Sequence, residues 1–281
     1  MTDRVDVADR AGSKTAGIRA GRSRGRRRST TMRLGTLFIA IGLLVVLQIA
    51  GALDVGGAGT LPTTTEVVGA LIGVLGEPGT YAAVGATFTS WFVGFAICIV
   101  LGVLVGLLVA MSSFADRSTR GLFDFMRSTP SVALIPMVTL ILGVGLSLKV
   151  VIIVLTGVWV ILVQTVAGLR SVDAIALESA SSLRMTRSQR IRWVLLPTAL
   201  PFMITGMRLV AVYAFLASIA VELLAAAPGL GREILFRQLG GAVSEMWAFV
   251  VLAAVLGVLV SVIFTRIEAR LLRWHVSQRD K

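Results

Sequence analysis

Few side chains in this chain have chemistry beyond packing, and most of them fall in one stretch. From Leu177 the sequence reads LESASSLRMTRSQRIRWVLLPTALP, with Arg184, Arg187, Arg190 and Arg192 close together inside a chain that is 56% hydrophobic. The remaining reactive groups are isolated. Cys98 is the single cysteine, within an apolar run, so it excludes an intrachain disulfide and reads as a small core residue. His275, the one histidine, has no carboxylate or cysteine at ligand spacing and reads as a solvated side chain. The segment AGSKTAG, from Ala11, faintly resembles a phosphate-binding loop, but it lacks the upstream glycine, lacks a glycine before Lys14 and follows no strand. No nucleophile–base pair or carboxylate dyad converges on one segment, so nothing points to an enzyme.

The elements that must position these groups follow from composition. With 281 residues of which only 15% are charged, the chain is too apolar for a soluble domain and reads as a membrane protein. Apolar runs at Met32 to Leu53, Thr80 to Met111, Val132 to Leu148, Val150 to Leu169, Phe202 to Leu224 and Met246 to Leu271 predict an all-α polytopic protein with about six transmembrane helices. Residues 1–33 hold ten basic residues and almost no large apolar ones, which predicts a disordered basic cytoplasmic tail ahead of a transmembrane domain over 34–281. If that tail is inside, 24 of the 27 basic residues fall in cytoplasmic segments, and only Lys149, Arg232 and Arg237 lie elsewhere. The net charge of +12 therefore reports topology and contact with anionic lipid, not nucleic-acid binding, and both termini are expected in the cytoplasm.

Local signals add detail. Thr63 or Thr64 caps a short external helix carrying Val67, Val68, Leu71, Ile72 and Leu75 along the outer interface. Gly102 and Gly106 have the spacing of a close helix contact. Pro136 is expected to bend the third span, and Gly143 with Gly145 to turn it back into the fourth. Arg208 is expected to snorkel to the inner surface. Within the arginine-rich loop, residues 170–197, Asp173 caps a first helix ending near Leu183, and Thr186 with Gln189 forms a capping box for a second that stops before Pro197. Read by periodicity alone, this pair of helices is equally an interfacial elbow whose arginines bind lipid.

The loop also resembles the signature loop of ABC-transporter permeases, usually written EAA, three residues, Gly, nine residues, Ile, any residue, Leu-Pro. Glu178, Ala180, Leu196 and Pro197 match, Val194 stands for Ile, Ser179 replaces the central Ala, and Arg184 occupies the glycine position, where a left-handed turn is expected. The resemblance extends to the nitrate, sulfonate and taurine branch of binding-protein-dependent permeases through LPTTTEV, the Pro130 and Pro136 pair and VELLAAAPGLGREI. It implies a type I ABC importer (MetI-like) permease in a bacterial-type inner membrane, multi-pass and a homodimer. Its partners would be a cytoplasmic ABC ATPase dimer and an external solute-binding protein. Loop 170–197 would be the ATPase-coupling loop, with Glu178 among its polar contacts. This chain would bind no cofactor, and ATP and Mg would be used by the ATPase. The solute would be a small organic anion such as a sulfonate, taurine or nitrate-like molecule. A quaternary amine or pyrimidine precursor is the alternative within the class, and an ion-gradient-driven secondary transporter the alternative outside it. Gln164, Ser218 and Glu222 are candidates for the translocation path. Gln164 reads alternatively as a helix-to-helix hydrogen bond, and Glu222 as a residue at headgroup level capping nothing.

Overall fold

The computed structural model of the chain describes residues 42, 45, 46, 48–53, 57 and 61–272. The tail 1–33, His275 and most of the first expected span lie outside the described residues, although 48–52 of that span are helical. The backbone divides after Glu66 into two compact units. In the first, Thr63 and Glu66 form a reciprocal cap: Glu66 donates its N–H to Thr63 Oγ1 at 3.3 Å, and Thr63 donates its own to Glu66 Oε2 at 2.9 Å. Thr63 is thus the capping threonine, and it opens helix α1, Thr64–Leu75.

All regular structure that follows among the described residues is helical: α2 (Pro78–Ala110), α3 (Ser113–Ser128), a 3₁₀ turn (Ser131–Leu134), α4 (Ile135–Leu142), α5 (Leu146–Arg170), α6 (Ala174–Ser182), α7 (Arg187–Leu224), α8 (Leu230–Leu239) and α9 (Val243–Leu271). Four of them, α2, α5, α7 and α9, are long and apolar enough to cross a bilayer. Helix α1 buries Val74 against α8 and α9 and leaves Val68 and Ile72 exposed.

Glycines set the register of the core. Gly94, Gly102 and Gly106 of α2 abut Ile153, Ile161 and Thr165 of α5, and Cys98 abuts Gly157 at the same sequence offset. A Cβ on Gly94 would sit 2.5 Å from Ile153 Cγ2, so the expected close contact is real and longer than the two predicted glycines. Because numbering rises together along both helices, α2 and α5 run parallel. Against α7 the order reverses, with Gly168 on Ala199, Gln164 on Gly206 and Gly157 on Val210, so α5 and α7 are antiparallel. Helix α9 is antiparallel to α7 in turn, Gly257 lying on Phe215 and Glu268 beside Thr205. Cys98 is fully buried in this core with Phe95, Ile161, Val210 and Phe215.

Parallel α2 and α5 require the chain to return between them, and here the expected third span needs correction. It is not one helix over Val132 to Leu148. The apolar helical run Ser131–Leu142 has 12 residues, roughly 18 Å at 1.5 Å per residue against a core of roughly 30 Å. The return is shared with α3, a helix for which the sequence reading has no element. Pro136 does not bend a helix but starts one, sitting in the first turn of α4, where its missing N–H has no partner to lose. Gly143, at φ 70, then makes the expected turn into α5.

Candidate functional site

Two places concentrate polar chemistry, one at each end of the bundle. The ends of α2, α5 and α9 share a side with the start of α7, and there the arginine-rich loop lies. Asp173 accepts the Ile175 N–H at 3.0 Å and caps α6, as expected. Along α6, Ala180 is buried, Leu177 half-buried, and Glu178 and Ser179 exposed. The helix ends in a left-handed residue, Arg184 at φ 50, with Met185 donating its N–H back to Ala180 O at 3.1 Å. Arginine therefore adopts the conformation expected of glycine, at a cost of about 1 kcal/mol. Thr186 and Gln189 close the predicted capping box.

The second helix does not stop before Pro197. It continues as α7, because residues Ile191–Leu195 widen into a π turn in which Leu196 donates its N–H to Ile191 O. Widening accommodates a ring that would clash with the carbonyl four residues back in a regular α ladder. Thr198 Oγ1 donates to Val194 O at 2.8 Å in the same turn. Leu195 packs on Leu169, Ala199 and Met203, so the Leu196–Pro197 pair joins loop to spanning helix without a flexible break.

At the opposite end an ion pair is enclosed. Lys149 of α5 and Glu222 of α7, 2% and 0% exposed, meet at 2.5 Å. Every polar valence is used. Lys149 also donates to Ala86 O at 3.0 Å and Pro228 O at 2.9 Å. Glu222 accepts from Thr87 Oγ1 at 3.0 Å, Ser218 Oγ at 3.1 Å and the Gly231 N–H at 3.0 Å, while Thr87 accepts the Leu230 N–H at 3.0 Å. Ser90 and Ser218 share a hydrogen bond of 2.9 Å. The carboxylate and Thr87 thus cap the first two amides of α8 from other helices, which corrects the reading of Glu222 as a headgroup-level residue capping nothing. Gly229 and Gly231 let that backbone approach, since a Cβ on Gly229 would overlap the Glu222 carboxylate at 2.1 Å.

Ser218 and Glu222, two of the path candidates, are fully enclosed by the chain in this conformation. Gln164 is half-buried with its stem against Gly206, and no hydrogen bond joins its amide to another helix among the described residues, contrary to the helix-to-helix reading. Arg208 does not snorkel free: it pairs with Glu268 at 3.0 Å, and Thr205 Oγ1 donates to the same carboxylate at 2.8 Å. Arg237, on the far side, bridges Glu77 at 2.7 Å and Glu245. Sequence reasoning missed Lys149 as the partner of Glu222. The available signal was an unmatched charge at the edge of each of two spans.

Four long apolar helices packed at close glycine contacts, a polar cluster sealed among them and a two-helix elbow continuous with one of them fit a multi-pass membrane protein. The chain belongs to the family described as binding-protein-dependent transport system inner membrane component, whose sequence profile matches residues 98–274. It is 28% identical over 96% of its length to 98% of the Bacillus subtilis (strain 168) protein assigned as the aliphatic sulfonates transport permease SsuC. It is 26% identical to the Escherichia coli (strain K12) taurine transport system permease TauC, covering 88% of this chain and 91% of that one. The Synechococcus elongatus (strain ATCC 33912 / PCC 7942 / FACHB-805) bicarbonate permease CmpB is 30% identical over 67% of each chain. In fold it resembles a chain of the inward-facing MetNI methionine ABC transporter, with a TM-score of 0.55 at 24% identity over 67% of this chain and 92% of that one. The protein is a permease subunit of an ABC importer with the type I fold.

Proposed function

We propose that this permease forms the translocation path for a small organic anion, a sulfonate such as taurine being the leading solute. The relatives named above are described as permeases for sulfonates, taurine and bicarbonate, all small solutes bearing an anionic group, which supports the class of solute. In this reading two copies assemble as a homodimer in the bacterial-type inner membrane, an external solute-binding protein delivers the solute, and a cytoplasmic ATPase dimer uses ATP and Mg to drive release. This chain binds no cofactor of its own. Loop 170–197 receives the ATPase motion, and the observation that carries this role is the continuity of the elbow with α7 through the π turn at Pro197. A stiff connection converts displacement of the loop into displacement of a spanning helix. Deleting the gene should reduce uptake of labelled taurine or another alkanesulfonate at least tenfold, with restoration by the intact chain. Unchanged sulfonate uptake beside loss of a quaternary amine would move the solute to the alternative.

The basic residues give the orientation. With 24 of 27 on the side of the elbow or in the terminal segments, that side is cytoplasmic and so are both termini. In a Cys98→Ser background, single cysteines replacing Arg24 and Arg279 are expected to resist a membrane-impermeant thiol reagent in intact cells and to react after permeabilisation. Labelling of either in intact cells would reverse the topology.

A further inference from the structure

We propose that a pocket beneath the elbow binds one anionic phospholipid, its phosphate on Arg187 and Arg190 and an acyl segment among apolar side chains. The cavity, about 260 Å³, lies where the ends of α2 and α5 meet the loop. Leu107 and Ala110 of α2, Leu169 of α5 and Leu177 of α6 line it, and Arg187 and Arg190, one helical turn apart at the start of α7, complete the wall. Among the described residues no carboxylate lines it. Neither arginine forms an ion pair within the described residues, nor do the neighbouring Arg184 and Arg192.

An apolar floor beside two uncompensated cations matches an amphiphile with an anionic head. The location selects a lipid, because the floor is made by the terminal turns of two spanning helices and therefore sits at the depth of the headgroups. Nearby Trp193 is 67% exposed with the Arg192 guanidinium stacked 5.7 Å from its ring centre, the arrangement of an interfacial aromatic anchor. An acidic loop of a partner protein would satisfy the arginines but leave the apolar floor unfilled. Leu177 directly precedes Glu178, so a lipid seated here braces the helix that carries the proposed ATPase contact. The inference concerns occupancy of the pocket and stands apart from which solute is carried.

The test uses the purified full-length chain, delipidated in detergent and titrated with phosphatidylglycerol or phosphatidylcholine, with bound lipid counted by native mass spectrometry. Phosphatidylglycerol should bind at one preferred site. Each arginine near an anionic headgroup is worth roughly fivefold, so Arg187→Gln/Arg190→Gln should weaken that binding about 25-fold and leave phosphatidylcholine unaffected. Ala110→Trp, which fills the cavity and keeps every arginine, should weaken it comparably. Arg266→Gln/Arg270→Gln, which removes two exposed cations from the same end of the bundle, should change nothing. Undiminished binding in either pocket variant overturns the site, as does equal loss in the Arg266 and Arg270 control, which would indicate diffuse attraction only. Displacement of the lipid by millimolar glycerol phosphate would show a site for free phosphate and overturn the lipid assignment.

Discussion

Glu222→Ala is expected to abolish most of the folded permease. The carboxylate is wholly buried and compensates Lys149, itself 2% exposed, so its removal leaves an ammonium without a counter-charge inside the bundle. Breaking a buried pair from one side costs about 3–5 kcal/mol, a change of roughly 150-fold to 5,000-fold in the folding equilibrium. The loss does not end with the pair. The Gly231 N–H and the Thr87 and Ser218 hydroxyls lose their acceptor as well, and the start of α8 loses its cap. Detergent-solubilised variant should therefore run as aggregate in size-exclusion chromatography and melt well below the parent. Lys149→Met should behave similarly, for it strands the carboxylate. In the double variant Lys149→Met/Glu222→Met neither charge remains, and part of the stability should return. A Glu222→Ala protein as stable as its parent would show that the pair contributes nothing to the bundle.

Glu178→Lys addresses the other end, where the expected loss is in partner docking and the fold is spared. Glu178 is exposed on α6 and makes no ion pair among the described residues, leaving its carboxylate available to a partner. A charge-assisted hydrogen bond at a desolvated contact is typically worth about 1.5–3 kcal/mol, so reversing the charge should weaken ATPase docking roughly tenfold to hundredfold. Membrane insertion and melting temperature should match the parent, because the residue lies in the loop outside the spanning segments. Co-purification of the ATPase and solute uptake should fall together. Arg184→Gly separates turn geometry from charge: it restores the residue best suited to a φ of 50 and should preserve or slightly improve assembly. If Glu178→Lys retains its ATPase and transports normally, the loop is a lipid-facing elbow and the coupling role is lost.

Interactions that close within a turn or two of chain could be read directly from the sequence. A cap at Thr63 or Thr64, the cap at Asp173, and the Thr186 and Gln189 box were legible because a cap satisfies amides two or three residues away, and the structure chose Thr63. The membrane class was equally legible, since insertion depends on the apolarity of each segment by itself. Even the left-handed turn at Arg184 was signalled by the position it occupies in the resembled loop.

Other features depended on how helices face one another. Pro136 and Pro197 carry the same local signal, a missing N–H, yet one starts a helix after a 3₁₀ turn and the other is absorbed by a π turn. What surrounds each ring decided the outcome. The Lys149–Glu222 pair joins two spans whose relative rotation and register no local pattern encodes. That register comes from the glycines of α2 meeting Ile153, Ile161 and Thr165 of α5, and from Gly157 and Gly168 meeting α7, contacts that exist only when the helices are packed. Apolar runs determined that the chain enters the membrane and roughly where. Only close packing, which admits one offset between facing surfaces, decided which charges are buried together and which remain at the ends.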